Sequence, residues 1–420
     1  MAKQANPKPL FRGRKDDSAL IALLIAAAVL VVGVIIFFLV KYDPFDWFGK
    51  EYGAPSQEDI GGVLSPEGGE GTGADLPDAF NEGKRKDGVY SFLVVGLDNP
   101  KNSRNTDVLM LCNFDTNTGE TNILQIPRDM YVVDKTLMPE GGKINNIYNR
   151  AAMQYQKDHP DASDAEVADA SMKTLCNKIS SLFCVPIHHY IAFNTDVYRE
   201  MLEIVCPLTI DVPFNMDYDD PTQDLHIHLK KGKQQLTAAQ VEGFSRFRQN
   251  NLGQSLAEGD FSRVDLQKIA LAAIAQKVLT TTTAPQASAF IGTIFNNLNT
   301  TLSFNDCVWF VEKALTLYAN GTMTLSSIRM YDLPCRVPSI QGCMEILGVD
   351  YVVAYGFMEK NQGYTLEILN RAFNLTEDVT ITADMLGYEE MTDMSYCDHS
   401  DTKGKSLQEI IDNPPNPSLY

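Results

Sequence analysis

The sequence predicts an α/β domain, α+β-like in character, with a central mixed β-sheet flanked by helices and preceded by one N-terminal transmembrane helix. Three observations carry this: one uncharged apolar run near the N-terminus, three apolar runs of strand length in quick succession after residue 88, and helical stretches that alternate with further strand-like ones beyond them.

The run from Ala19 to Val40 holds 22 residues without a charge. At about 1.5 Å per residue it spans the roughly 30 Å of a hydrocarbon core. Lys3, Lys8, Arg12, Arg14 and Lys15 precede it, whereas Lys41 and Lys50 follow among Asp43, Asp46 and Glu51, so the positive-inside bias places the N-terminus in the cytoplasm. A cleaved signal peptide is the competing reading, but its apolar core is shorter and ends in small residues, and here the run enters Lys41-Tyr-Asp-Pro-Phe45. Tyr42, Phe45, Trp47 and Phe48 suit the headgroup level. The expected plan is a cytoplasmic tail over 1–18, the helix over 19–40, a flexible extracellular linker rich in Gly, Pro, Asp and Glu over 41–88, a main domain over 89–375, and a C-terminal tail over 376–420. The expected location is a bacterial cell membrane, crossed once, with the main domain outside.

Val89 to Gly96, Val108 to Phe114 and Thr121 to Ile126 read as strands, the last two joined by a polar turn. Ser163 and Glu166 form a capping box, after which Val167, Ser171, Leu175, Ile179 and Leu182 recur on one helical face. A strand near His189 to Phe193, a helix near Val197 to Val205, a strand near Leu208 to Val212 and a long helix from Phe261 to about Leu279 continue the alternation. The closing Asn413-Pro-Pro-Asn-Pro417 holds no regular structure.

Composition bounds function. A hydrophobic content of 44% is that of a globular domain, and a formal net charge of -19 argues against a nucleic-acid partner, whose phosphates demand a basic face. All eight cysteines follow the apolar run, on the side where oxidation is possible. Cys335 and Cys343 flank a short segment they can close into a loop, pairing being undecidable from sequence, and Cys112 sits inside an apolar strand as a buried thiol would. His226 and His228 alternate on one strand face and could bind a metal, but with no fixed carboxylate partner evident exposed side chains are the favoured reading.

Chemistry concentrates in Val94-Val-Gly-Leu-Asp98, Ser103-Arg-Asn-Thr-Asp107 and Gln125-Ile-Pro-Arg-Asp129, where polar residues crowd the ends of apolar strands. Side chains at such ends have little freedom, which preorganises a site. Asp98 and Asp107 can together hold a hard cation such as Mg²⁺. In Gly243-Phe-Ser-Arg-Phe-Arg248, Arg246 and Arg248 would leave one face of a strand. Asp260 can cap the long helix, and Arg263 and Gln267 lie one turn apart at its start, where free N–H groups favour an anion. Guanidinium groups, a cation and a helix start together describe a diphosphate site. For each arginine alone, a structural ion pair is the plain alternative.

These segments resemble the LytR-CpsA-Psr family of bacterial cell-envelope phosphotransferases over about Val89 to Pro334, more weakly to about Leu375. Gly142-Lys-Ile-Asn-Asn-Ile-Tyr148 is similar to the family's Lys-Ile-Asn-x-x-Tyr, and Gly232-Lys-Gln-Gln-Leu-Thr237 to the turn before its Arg-x-Arg strand. The resemblance implies a catalytic domain that moves a glycopolymer from a polyprenyl diphosphate carrier to a peptidoglycan sugar hydroxyl as a phosphodiester, with the lipid in an apolar tunnel. By position, Asp98 and Asp107 would hold Mg²⁺, and Arg104, Arg128, Arg246, Arg248, Arg263 and Gln267 would grip the diphosphate, with Lys143 and Asn145 at the rim. Arg104, Asp107, Arg128, Arg246 and Arg248 would be catalytic, and Asp107 or Asp129 would take the acceptor's proton. Two positions depart from the family: Leu266 stands for an expected arginine, and Cys206-Pro207 for Gly-Gly.

Two other classes compete with the transferase. A non-catalytic envelope module could bind the same lipid-linked ligand with arginines alone, and the presence of both Asp98 and Asp107 favours the enzyme. A hydrolase differs only in using water as acceptor.

Overall fold

In this computed structural model the described residues are 53–58, 60, 76–77, 83–97, 105–221, 225–257, 260–281, 295, 298–334, 359–387 and 401–420. The expected membrane helix, most of the linker, and Cys335, Cys343 and Cys397 lie outside them. Among the described residues no helix is long and apolar enough to cross a membrane.

The chain runs through strands β1 (Val89–Leu97), β2 (Thr106–Asp115), β3 (Thr121–Ile126), β4 (Tyr131–Asp134) and β5 (Met138–Lys143) to helices α1 (Ile147–Asp158) and α2 (Asp164–Phe183). After β6 (His189–Phe193) and α3 (Thr195–Val205) come β7 (Leu208–Val212), β8 (Met216–Asp220), β9 (Leu225–Leu229) and β10 (Gly232–Leu236), then α4 (Ala238–Arg246) and α5 (Asp260–Thr281). The remainder is β11 (Asn299–Thr300), α6 (Phe304–Ala319), β12 (Ile328–Asp332), α7 (Glu359–Ile368), β13 (Lys405–Ser406) and α8 (Leu407–Asp412).

The central sheet has seven strands in the order β11-β6-β1-β2-β3-β12-β13. β2 pairs antiparallel with both β1 and β3, whereas β6 runs parallel to β1 and β12 parallel to β3, so the sheet is mixed. The three apolar runs form its centre, as expected, and they are apolar without interruption because both faces are covered. On one face Tyr90, Phe92, Val94, Met110 and Phe114 pack with residues of α3, α5 and α6; on the other Leu93, Val95, Leu109 and Leu111 pack with α2. Phe310 of α6 is typical of the first layer, its ring 4.8 Å from Tyr90 and 5.2 Å from Phe92 in edge-on contact. Burying such a side chain contributes about 1.5–3 kcal/mol.

The expected capping box of α2 is present, Ser163 accepting from Glu166 N–H while the Glu166 carboxylate returns to Ser163 N–H. Val167, Ser171, Leu175, Ile179 and Leu182 are its buried face. Three expectations change. Gly243 to Arg248 is not a strand: Arg246 ends α4, whose start carries a second capping box, Thr237 with Gln240. Gly232-Lys-Gln-Gln-Leu is itself a strand, β10, paired with β7. Part of the stretch set apart as a tail over 376–420 belongs to the domain, since β13 closes one edge of the central sheet against β12 and α8 adds Leu407 and Ile410 to the core.

β1 and β3 end, and β2 begins, at the same edge: Leu97 pairs with Thr106 and Ile126 with Leu109. The parallel strands β6 and β12 also end on that side. Carboxyl ends of strands gathered at one edge are where α/β sheets present binding residues.

Candidate diphosphate site

Thr106 and Asp107 open β2 at this edge, and Arg128 follows β3 on the same side. Arg128 Nη1 donates to Asp107 Oδ1 at 2.8 Å. A backbone lattice holds the next segment against them: Asn145 N–H donates to Arg128 C=O, Ile144 N–H to Met130 C=O, and Thr106 Oγ1 to Asn145 C=O. Lys143, beside this lattice, pairs with Asp129 at 2.7 Å. The Lys-Ile-Asn motif therefore braces the Arg128–Asp129 turn.

Arg263 arrives from the first turn of α5 with no exposure to solvent. Its place is fixed from the next turn of the helix, where buried Lys268 meets Asp332 at the end of β12 at 2.7 Å and Asp265 at 3.2 Å. Burial opposes the charge of Lys268, yet Asp332 and Asp265 together raise its pKa above the usual lysine range. The helix is thus pinned to the sheet edge.

The electrostatics identify what shares the cavity of charge. Burial raises the pKa of Asp107, 6% exposed, against the pull of Arg128 and, more weakly, of Arg263 and Arg248. Burial, followed by the like charges of Arg248 and Arg128, pushes Arg263 well below the ordinary arginine range, with Asp107 and Asp129 acting the other way. Among the described residues, Arg128, Arg248, Arg263 and Lys143 therefore stand against the carboxylates of Asp107 and Asp129, in a chain of formal net charge -19. Gln267, one turn along from Arg263 and wholly buried, has neither amide atom hydrogen-bonded among the described residues, and the same holds for Asn145 Oδ1. Buried polar atoms of this kind mark where a polar ligand fits.

Arg246 has a carboxylate partner of its own. Its Nη1 donates to Glu242 Oε1 at 2.9 Å, and the same carboxylate receives Arg199 at 2.8 and 2.9 Å. Arg246 is the last residue of α4 and meets Glu242, whereas Arg248 lies past the helix end and acts on Asp107, so the pair is not carried on a strand. Leu266, at the position of an expected arginine, is buried in the apolar layer. Asp98 and Arg104 lie outside the described residues, as does the side chain of Asp260.

Sequence reading placed His226 and His228 on one strand face but missed the partner strand β8 and its carboxylates. Asp217 pairs with His228 and Asp219 with His226 across the strands, so both histidines do have carboxylate partners, supplied by the neighbouring strand. Asp-x-Asp and His-x-His flanking a turn was the available signal.

The profile of the LytR_cpsA_psr family matches residues 70–353. The polyisoprenyl-teichoic acid–peptidoglycan teichoic acid transferase TagU of Enterococcus faecalis is 24% identical over 221 residues, covering 52% of this chain and 63% of that protein. The regulatory protein MsrR of Staphylococcus aureus is 23% identical over 226 residues, covering 53% and 59% respectively. The chain thus spans less than two thirds of the length of these curated relatives. In structure it is similar to protein gbs0355 of Streptococcus agalactiae, with a TM-score of 0.51 at 15% identity over 73% of this chain and 93% of that one, a likeness of fold.

Proposed function

The chain belongs to the LytR-CpsA-Psr family, and from that premise we propose that it transfers a glycopolymer from a polyprenyl diphosphate carrier to a peptidoglycan sugar hydroxyl, leaving a phosphodiester link. Relatives named as teichoic acid transferases support a role in attaching cell-wall glycopolymers. The observation that carries the reading is the group of Arg128, Arg248 and Arg263 around Asp107, with Arg263 and Asp107 buried and the other two half-buried, a gathering of positive charge in an acidic protein.

A diphosphate between these guanidiniums would relieve their mutual repulsion and offset the burial that disfavours the charge of Arg263. The acceptor hydroxyl attacks the phosphorus proximal to the sugar, a new P–O bond forms, and the bond to the bridging oxygen breaks. Polyprenyl phosphate leaves with the electron pair, its growing charge held by the arginines. Gln267 orients the phosphate oxygens by donating from its Nε2, an atom left open among the described residues, with Asn145 at the rim. Both carboxylates are ion-paired, Asp107 with Arg128 and Asp129 with Lys143, and Asp129, the more exposed of the two, is the better placed to pass a proton to solvent.

Mg²⁺ fits this donor set. Asp107 offers a buried hard oxygen, and Mg²⁺ is commonly held by one or two carboxylates together with substrate phosphates. Asp107, with Asp98, would hold it, and when bound it would draw charge from the diphosphate oxygens. The same reading places the carrier's lipid in an apolar tunnel and the chain in a bacterial membrane, crossed once by residues 19–40 with the C-terminal domain outside.

The test incubates the full chain in detergent with a polyprenyl-diphosphate-linked saccharide and peptidoglycan fragments, with and without Mg²⁺, and follows both products by mass spectrometry. Joined glycan with polyprenyl phosphate is expected. Binding without either product would overturn the reading in favour of a ligand-binding module.

A further inference from the structure

Outside the diphosphate site, the β8–β9 hairpin carries a second group of ligating side chains. Its inward positions, Met216, Leu225, Ile227 and Leu229, are buried in the core, while Asp217, Asp219, His226 and His228 face out, as the two-residue period of a strand dictates. The antiparallel register sets Asp217 opposite His228 and Asp219 opposite His226.

The contacts are those of a metal site and its support. His226 Nδ1 lies 2.6 Å and His228 Nε2 3.3 Å from the same atom, Asp219 Oδ1. Donors about 2.0–2.2 Å from a tetrahedral Zn²⁺ stand about 3.3 Å apart. One pair is therefore already at ligand spacing, and a small rotation of the exposed His226 ring brings the other there. His228 Nδ1 meets Asp217 Oδ1 at 2.6 Å, which fixes the proton on Nδ1 and leaves the Nε2 lone pair toward Asp219. Asn251 Nδ2 donates to Asp219 Oδ2 at 3.1 Å, orienting the carboxylate so that Oδ1 is the free ligand. A plain surface ion pair needs neither support.

We propose that Asp219, His226 and His228 form a site for a transition-metal dication of the Zn²⁺ class, with Asp217 and Asn251 orienting the ligands and the fourth position open to water. Two imidazole nitrogens select Zn²⁺ over Mg²⁺, which takes oxygen donors, so this site is chemically separate from that of Asp107. An ion here would also tie the hairpin to the loop that follows Arg248: Asn251 N–H donates to Asp217 C=O at 2.8 Å, and Asp219 N–H donates to Asn251 Oδ1 at 2.9 Å.

The experiment titrates the full chain in detergent with Zn²⁺ by calorimetry and, separately, with Co²⁺ followed by visible absorption, whose d–d bands report low-coordinate geometry. One saturable site is expected beyond whatever remains in a His226→Ala/His228→Ala double variant, which loses both that site and the Co²⁺ bands. Asp217→Asn should weaken binding about 10-fold or more through the tautomer of His228. The four side chains are exposed, so metal-free variants should melt with the parent. No saturable binding, or the same stoichiometry and bands in parent and double variant, would overturn the site.

Discussion

Arg128 Nη1 donates to Asp107 Oδ1 across 2.8 Å, and the buried Asp107 carboxylate also feels the positive charge of Arg263 and Arg248. Removing one partner of a buried pair costs about 3–5 kcal/mol, because the other charge is left uncompensated, and the half-buried Arg128 puts this pair at the lower end. Asp107→Ala is accordingly expected to destabilise the fold by about 3 kcal/mol in urea titrations and to lower transfer by about 100-fold or more. Inorganic diphosphate should recover part of that stability by supplying the missing negative charge. A variant as stable as its parent would remove Asp107 from the role of counter-charge.

Arg263 is the converse case. It is completely buried, and both burial and two neighbouring guanidiniums work against its charge. Replacing a whole buried ion pair with apolar residues is often neutral or stabilising by about 1–4 kcal/mol, and Arg263 comes near that case because its removal also ends its repulsion by Arg248 and Arg128. Arg263→Met should therefore leave the ligand-free protein no less stable while weakening binding of a diphosphate-linked saccharide by about 10- to 100-fold, as the loss of a charged hydrogen bond implies. A loss of stability with undiminished binding would make Arg263 a structural residue.

The same burial explains what was legible in the sequence. β1, β2 and β3 are covered on both faces and so read as unbroken apolar runs, and α2 has one buried stripe behind a capping box. α4 was misread because it is enclosed: Val241, Glu242, Gly243, Phe244, Ser245 and Arg246 are all buried in succession, which erases the helical period. A Cβ on Gly243 would stand 3.2 Å from Ile227 Cγ1, so glycine there serves close packing on β9 rather than a strand. Thr237 and Gln240 were the overlooked sign of the helix start. In the site, Asp107, Arg128 and Arg263 could be named from motifs, but the separation of Arg246 from Arg248 depends on where α4 stops, and Glu242 gave no signal from sequence.

That separation has a consequence for the two arginines. Arg246→Ala breaks a buried contact with Glu242, a carboxylate that Arg199 still engages, and should cost about 1–3 kcal/mol of stability. Arg248→Ala acts on the Asp107 group and should reduce kcat of transfer far more than it reduces the unfolding midpoint. Measuring both quantities for both variants decides the matter: equal kinetic losses at unchanged stability would return Arg246 to the diphosphate.

Leu266 sits between Arg263 and Gln267 in sequence, yet its side chain lies in the apolar layer with Phe244 and Ile274. Restoring the family's arginine by Leu266→Arg would drive a cation into that layer. Expected are a loss of about 3 kcal/mol or more of stability and no gain in diphosphate affinity, read by urea unfolding and calorimetry. Tighter binding in a stable variant would mean that the helix can turn this position toward the site.

His188 sets an acid limit on the fold. It is buried and accepts Ser91 N–H on Nδ1 at 3.0 Å, an arrangement only the neutral ring can make. Burial, and then the nearby His189 and Arg85, lower its pKa from 6.5 to about 3. Above pH 6.5 the ring is neutral in both folded and unfolded chains and contributes no pH dependence. Between 6.5 and about 3 the unfolded chain binds a proton that the folded one refuses, so stability falls as pH falls, by up to about 1.4 kcal/mol per unit. His188→Gln keeps an acceptor for Ser91 but cannot titrate. Between about pH 6.5 and about pH 5 the parent should lose about 2 kcal/mol more than this variant in urea unfolding. Parallel losses would show that the proton is taken up elsewhere and that the enclosure of His188 carries no acid sensitivity.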